Sequence, residues 1–159
     1  MLIRAATVRD AGAICDVLRT SIIKLCKLDH GGDPEKLGAW LENKTVQNCE
    51  SWITDARTNF FVAERNGSLL GVASINHDGY VGLCYLLPEA TGCGLGARLL
   101  SAAEDSVLAL GVESIRLEST LAAKGFYEHM GYVRTGRSEN ELLYEKAANS
   151  IPGETVHNP

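Results

Sequence analysis

The chain has 159 residues, 45% of them hydrophobic, and a formal net charge of −5. That length and apolar share specify one folded domain with a core and exclude a disordered or fibrous chain. The acidic balance excludes a general affinity for nucleic acid or anionic membranes, so any phosphate site must be local and built mainly from backbone N–H groups.

The five cysteines, at 15, 26, 49, 84 and 93, are odd in number and form no C-x-x-C pair. They read as structural thiols of a reduced, cytoplasmic chain, with no metal site. Met1-Leu2-Ile3-Arg4 lacks the apolar core of a signal peptide, and no apolar run is long enough to span a bilayer. The sequon Asn43-Lys44-Thr45 therefore carries no meaning as a glycosylation signal.

In chain order, residues 2–6 read as a short strand, and Thr7 with Asp10 has capping-box-like spacing. The helix that follows carries Ile14, Val17, Leu18, Ile22 and Leu25 on one face. Asp33-Pro34-Glu35 opens a second helix, with Pro at its first position, bearing Leu37, Trp40 and Leu41. A weaker third helix is expected over 46–56. From Asn59 the texture changes to strand. Phe60-Phe61-Val62-Ala63-Glu64 and Leu69-Leu70-Gly71-Val72-Ala73-Ser74-Ile75 flank Asn66-Gly67, a strong hairpin signal. His77-Asp78-Gly79 turns the chain into a strand over 80–87. A glycine turn and a helix through Leu110 come next, stopped by Gly111. Residues 114–119 form a strand, 121–130 a helix closed by Gly131, and two final strands lie near 132–136 and 140–145. This order predicts a mixed α/β domain over 1–146 with antiparallel and parallel portions. Residues 147–159 read as a loosely held tail.

The most informative segment is Tyr85-Leu86-Leu87-Pro88-Glu89-Ala90-Thr91-Gly92-Cys93-Gly94-Leu95-Gly96-Ala97-Arg98. It reads as a strand, a proline-marked break, a glycine-dense turn and a helix start. Glycines permit a tight turn and close approach of a ligand, and the helix start offers unpaired N–H groups to an anion. Such a turn is suited to a pyrophosphate. Gly92-x-Gly94-x-x-Ala97 also fits the dinucleotide fingerprint, with Glu113 and Glu118 near the expected acidic position. Against that reading, Pro88-Glu89-Ala90-Thr91 separates strand from glycine, and the unit follows three antiparallel-looking strands.

Over residues 2–146 the sequence resembles the GCN5-related N-acetyltransferases. Leu86-Leu87-Pro88 followed by Thr91-Gly92-Cys93-Gly94-Leu95-Gly96 is similar to the family's strand end and its R/Q-x-x-G-x-G/A loop. Thr120-Leu121-Ala122-Ala123-Lys124-Gly125-Phe126-Tyr127-Glu128-His129-Met130-Gly131-Tyr132 resembles its second signature, N-x-x-A-x-x-F-Y-x-x-x-G-F/Y. Thr91 stands where the family has Arg or Gln, and Thr120 where it commonly has Asn. The resemblance implies a mixed, mostly antiparallel sheet flanked by helices, and acetyl-CoA as acyl donor. Thr91, Gly92, Cys93, Gly94, Leu95, Gly96, Ala97, Thr120 and Ala123 would then line the CoA site. Leu86 N–H would serve as oxyanion donor and Tyr127 as general acid to the leaving thiolate.

The base is less defined: Glu118 would reach the cleft from the end of its strand, and His77 has a suitable intrinsic pKa but sits in a turn. The acceptor would lie between the first helices and the central strands, near Ser21, Lys24, Asp29, His30 and Trp40. There Asp29 would pair with an ammonium and Trp40 would form a wall. The expected acceptor is an amine of a small molecule or of a peptide. The competing reading is a non-catalytic acyl-CoA sensor on the same fold, possible as a homodimer in either case.

Overall fold

The computed structural model describes residues 1–137 and 142–150. Its seven strands are β1 (Leu2–Ala5), β2 (Thr58–Arg65), β3 (Ser68–Asn76), β4 (Tyr80–Leu86), β5 (Ser114–Ser119), β6 (Val133–Arg137) and β7 (Leu142–Ala147). They form one sheet in the order β1-β2-β3-β4-β5-β7-β6. Every neighbouring pair is antiparallel except β4–β5, which is parallel. The helices are α1 (Ala11–Leu25), α2 (Lys27–His30), α3 (Pro34–Leu41), α4 (Val46–Ile53), α5 (Leu95–Leu108) and α6 (Lys124–His129).

Strand alternation sorts the core into two layers. Val62 and Val72 face one side, where Ile14, Val17 and Leu18 of α1 and Cys49 of α4 cover them. Ala63, Ala73 and Ile75 face the other, under Leu99, Leu100, Ala103 and Val107 of α5 and beside Tyr127 of α6. The small alanines beneath α5 let that helix sit close to the sheet. The Asn66-Gly67 turn forms as expected, with both residues at positive φ (51° and 82°), which matches the right-handed twist of the flanking strands.

Two irregularities in β4 open a gap in the sheet. In the β3–β4 ladder Ser74 pairs with Leu83 but Ile75 pairs with Val81, so Gly82 is an extra, bulged residue. A Cβ at Gly82 would come within 3.2 Å of Ser74 Oγ. Just before the bulge, β4 pairs with β5 through only Tyr80↔Arg116 and Val81↔Leu117. Beyond it the ladder stops and the two strands leave a gap.

Several expected boundaries shift for identifiable reasons. Between the first two expected helices lies α2, a single turn closed by Gly31 at φ 62°. Helix α4 ends at Ile53 rather than 56, where the Thr54 hydroxyl donates to Glu50 and Ser51 carbonyls. Helix α5 ends at Leu108, with Gly111 at φ 84° marking the turn beyond it. The helix expected over 121–130 begins only at Lys124. Side chains hold the amides of its would-be first turn instead: Leu121 and Ala122 donate to Asp29, and Ala123 to Thr120 Oγ1. Ala147 closes β7 and Ala148–Ser150 add a 3₁₀ turn. The tail expected over 147–159 is therefore corrected at its first four residues, while its part over 151–159 and the start of the final strand at Asn140 lie outside the described residues.

A buried polar cluster fastens α5 to the far half of the sheet. Glu104, 1% exposed, accepts from Tyr132 Oη at 2.6 Å and pairs with Lys146 Nζ at 3.0 Å. Lys146 also donates to Met130 O at 2.9 Å and lies 4.9 Å from the centre of the Tyr132 ring. Burial, together with the neighbouring Glu104 carboxylate, raises the Tyr132 phenol far above its ordinary range.

Candidate active site

The gap between β4 and β5 opens into a cleft of about 610 Å³, within the usual range for a small-molecule site. Its walls come from three places: Ser21, Leu25 and Cys26 at the end of α1; Cys84, Tyr85 and Leu86 of β4; and Thr120, Ala122, Ala123, Phe126 and His129 around α6. Thr91, Gly92, Gly94, Gly96 and Ala97 of the glycine turn line its mouth. A recess of about 40 Å³ continues the gap deeper, between residues 81–85 of β4 and Glu118, Thr120, Ala123 and Tyr127.

The turn has the geometry of an anion cradle. Gly92 and Gly94 lie at φ 77° and 81°, and a Cβ on either would meet no protein atom within 4 Å. Their lack of a side chain therefore answers to the backbone conformation and to the open space ahead of it, not to packing. Gly94 is the N-cap of α5, and the first ladder bond runs from Arg98 N–H to Gly94 O at 3.2 Å. The N–H groups of Leu95, Gly96 and Ala97 stand outside that ladder, at the positive end of a 14-residue helix. Gly96 differs: a Cβ there would come within 3.3 Å of the Phe126 ring, so its role is close packing of α5 on α6. Thr91 borders the cleft, but its hydroxyl donates to Pro88 O at 2.8 Å, and Cys93 Sγ likewise bonds Ala90 O at 3.1 Å. Thr91 therefore does not direct its hydroxyl proton to the cleft, and the donors that remain are backbone amides.

The strand beside the gap also offers backbone groups. Leu87 N–H bonds Leu70 O at 2.8 Å, across β3. By the alternation of an antiparallel ladder, Tyr85 then faces β3 as well, and the N–H groups of Cys84 and Leu86 face the gap. Tyr127 lies on the opposite wall, 6% exposed, packed edge-on between Phe126 and Tyr132. Its hydroxyl neighbours the Cys84 thiol. Burial pushes Cys84 up to about 12, partly offset by its hydrogen bond with Tyr127. Burial also raises Tyr127 well above the ordinary phenol range, with the nearby Cys84 and Tyr85 adding to the effect. Both groups keep their protons at neutral pH. Glu118, at the exposed end of β5, lines the recess that Tyr127 also lines.

The residues expected around the acceptor separate. Ser21 borders the cleft. Asp29 instead places both carboxylate oxygens on the loop after β5, accepting from Leu121 N at 2.6 Å and Ala122 N at 3.2 Å. His30 is buried, with Nε2 donating to Ile22 O at 2.9 Å and Nδ1 accepting from Gly32 N at 3.0 Å. Those two partners fix one neutral tautomer. Trp40 packs edge-on against the His30 ring at 6.2 Å, and Lys24 is exposed on α1. His77 stands at the other end of β4, where Nε2 meets Asn59 Oδ1 at 3.1 Å. Cys84, Cys26 and Phe126 were not anticipated as cleft residues. For Cys84 the signal was present, since it shares the face of Leu86 two positions on; for Cys26 no local signal exists.

The acetyltransferase (GNAT) domain family model matches residues 31–142. Among solved structures, the PaiA N-acetyltransferase from Thermoplasma acidophilum in complex with coenzyme A is similar with a TM-score of 0.81 at 21% identity, over 92% of this chain and 98% of that one. A GCN5-related N-acetyltransferase structure from Rhodopseudomonas palustris gives 0.83 at 20% identity, over 92% and 94%. An aminoglycoside 6'-N-acetyltransferase complexed with coenzyme A gives 0.72 at 14% identity, over 96% and 100%. With the bulged β4, the β4–β5 gap and the glycine turn before α5 already in place, the family match identifies this chain as a member of the GNAT acetyltransferase family.

Proposed function

We propose that the protein is an acetyl-CoA-dependent N-acetyltransferase that passes an acetyl group directly to an amine of a small molecule or a peptide. One observation carries this reading: a strand edge with free backbone groups and an anion cradle border the cleft, and a buried, protonated tyrosine borders the recess that shares Cys84, Tyr85, Thr120 and Ala123 with it. Solved relatives of the same fold are complexes with coenzyme A. We take residues 1–146 as one catalytic domain acting in the cytoplasm. Among the described residues no helix is long and apolar enough to cross a membrane.

Acetyl-CoA, when bound, supplies an activated thioester. The amides of 92–97 hold its anionic end, and the open edge of β4 pairs with its extended arm as a further strand would. The Leu86 N–H, with that of Cys84 beside it, stabilises negative charge on the acyl oxygen. The Tyr127 hydroxyl keeps its proton until a thiolate needs it; burial that raises a phenol raises an adjacent thiolate's basicity too, so the two stay matched. Glu118 accepts the proton lost by the amine, directly or through water. Thr120 and Ala123 shape the wall, and Ser21 faces the acceptor side.

A second reading, an acyl-CoA sensor without turnover, is favoured by one observation: the Thr91 hydroxyl is engaged with Pro88 O, and no arginine or glutamine takes its place. Calorimetry with acetyl-CoA, CoA and NAD, followed by an amine screen, separates the readings. Micromolar binding of acetyl-CoA without NAD binding, and turnover of an amine, supports the enzyme; binding without turnover of any amine supports the sensor. Tyr127→Phe is expected to retain CoA binding and to lower acetyl transfer about 10-fold or more. Unchanged transfer in steady-state assays would remove Tyr127 from the mechanism.

A further inference from the structure

Asp29 joins two walls of the cleft that are otherwise far apart in the chain. It belongs to α2, the single turn after α1, and its carboxylate receives the amides of Leu121 and Ala122, 92 and 93 residues away. On its own side, α1 contributes Ser21, Leu25 and Cys26 to the cleft; on the other side, Thr120, Ala122 and Ala123 line it. The turn that carries Asp29 is itself anchored, since His30 bonds Ile22 O at the end of α1 and the Gly32 amide closes onto the same ring. Its partner loop leads directly into α6, which bears Phe126 and Tyr127. Two backbone amides converging on one carboxyl group hold the loop at both of its oxygens.

We propose that Asp29 is a positioning residue that clasps the α1–α2 wall to the β5–α6 loop, so that it sets the width of the cleft and the seating of α6 around a bound acyl-CoA. This proposal rests on the acetyl-CoA reading above. Asp29 touches no reacting atom; it acts through the loop. Its loss widens the gap, shortens the residence of acyl-CoA and admits water to the thioester, because enclosure is what excludes water from such a site.

The test follows acetyl-CoA itself, in wild type and in Asp29→Ala, Asp29→Asn and Asp33→Ala. Asp33→Ala is the structural control: its carboxylate caps α3 by accepting from Glu35 N at 3.2 Å and does not touch the loop. Stopped-flow displacement measures dissociation, thiol release without acceptor measures hydrolysis, and amide exchange at Leu121 and Ala122 reports the clasp. Asp29→Ala is expected to dissociate about 10-fold faster, the worth of about 1.4 kcal/mol, with faster hydrolysis and lost protection at both amides. Asp29→Asn keeps one acceptor oxygen and falls between. Asp33→Ala lowers the melting temperature and leaves dissociation unchanged. Unchanged dissociation in Asp29→Ala despite deprotected amides would overturn the proposal, as would equal effects in Asp33→Ala. Failure of the wild type to bind acetyl-CoA at all would instead overturn the acetyltransferase reading, and the clasp with it.

Discussion

Gly94→Val is expected to raise the dissociation constant for CoA about 100-fold or more while leaving a folded protein. The residue sits at φ 81°, where a β-branched side chain is a strong outlier. Escape from that conformation rotates the N–H groups of the turn away from the space ahead of α5. Loss of two hydrogen bonds to a charged ligand, at about 1.5–3 kcal/mol each, amounts to about 100-fold or more in affinity. No protein atom outside the turn lies within 4 Å of the new Cβ, so the cost falls on the backbone conformation and not on core packing. Gly67→Val is the matched control: φ is 82°, the space around it is equally open, and it lies in the β2–β3 hairpin. Both variants should lose stability by about 1–2 kcal/mol from the left-handed backbone, read as similar drops in melting temperature. Only Gly94→Val should lose CoA in calorimetry. Equal CoA affinity in the two variants would remove the turn from the binding site.

Lys146→Met is expected to cost about 3–5 kcal/mol of stability, the size found when one member of a buried ion pair is removed. Glu104 would keep the Tyr132 hydroxyl but lose the ammonium at 3.0 Å, and Met130 O would lose its donor at 2.9 Å. For a chain of this length that corresponds to a fall in melting temperature of about 6–20 °C. The double variant Lys146→Met with Glu104→Leu should recover part of the loss, since it leaves no unpaired charge behind, while the Tyr132 hydroxyl and Met130 O stay without their partners. Urea unfolding of the two singles and the double, treated as a double-mutant cycle, measures the coupling. A single-variant loss below about 1 kcal/mol would show that water reaches Glu104 and that the pair behaves as a surface one.

What could be read before the fold was seen follows the range of the forces involved. The α1 stripe, the Asn66-Gly67 hairpin and the glycine turn are set by residues within a few positions of one another, so they were legible. The position of the bulge at Gly82 was not, because one inserted residue leaves the local alternation looking like continuous strand; only the family resemblance implied that the strand before the glycine turn bulges and splays from its parallel neighbour. The late start of α6 was hidden for a related reason: 121–130 has helical spacing, but Asp29 and the Thr120 side chain satisfy the amides of 121–123. Asp29 itself looked like a ligand for an ammonium, because the family resemblance puts the acceptor between the first helices and the central strands. Its partners lie beyond the reach of any window along the chain. Tyr127 was singled out through its motif, and its neighbour Cys84 was passed over as an ordinary strand thiol.

The sheet joins its two halves at only two residue pairs, Tyr80↔Arg116 and Val81↔Leu117. The molecule is in that respect a book with a short spine: β1–β4 with α1 and α5 form one leaf, and β5, β7, β6 with α6 form the other. Away from the spine, the Glu104–Lys146 pair and the Asp29 carboxylate each tie one leaf to the other. Mechanical strain applied to one leaf passes to the other through these points and through the core that α5 shares with β5, β7 and α6, so a molecule seated between the pages would load all of them at once.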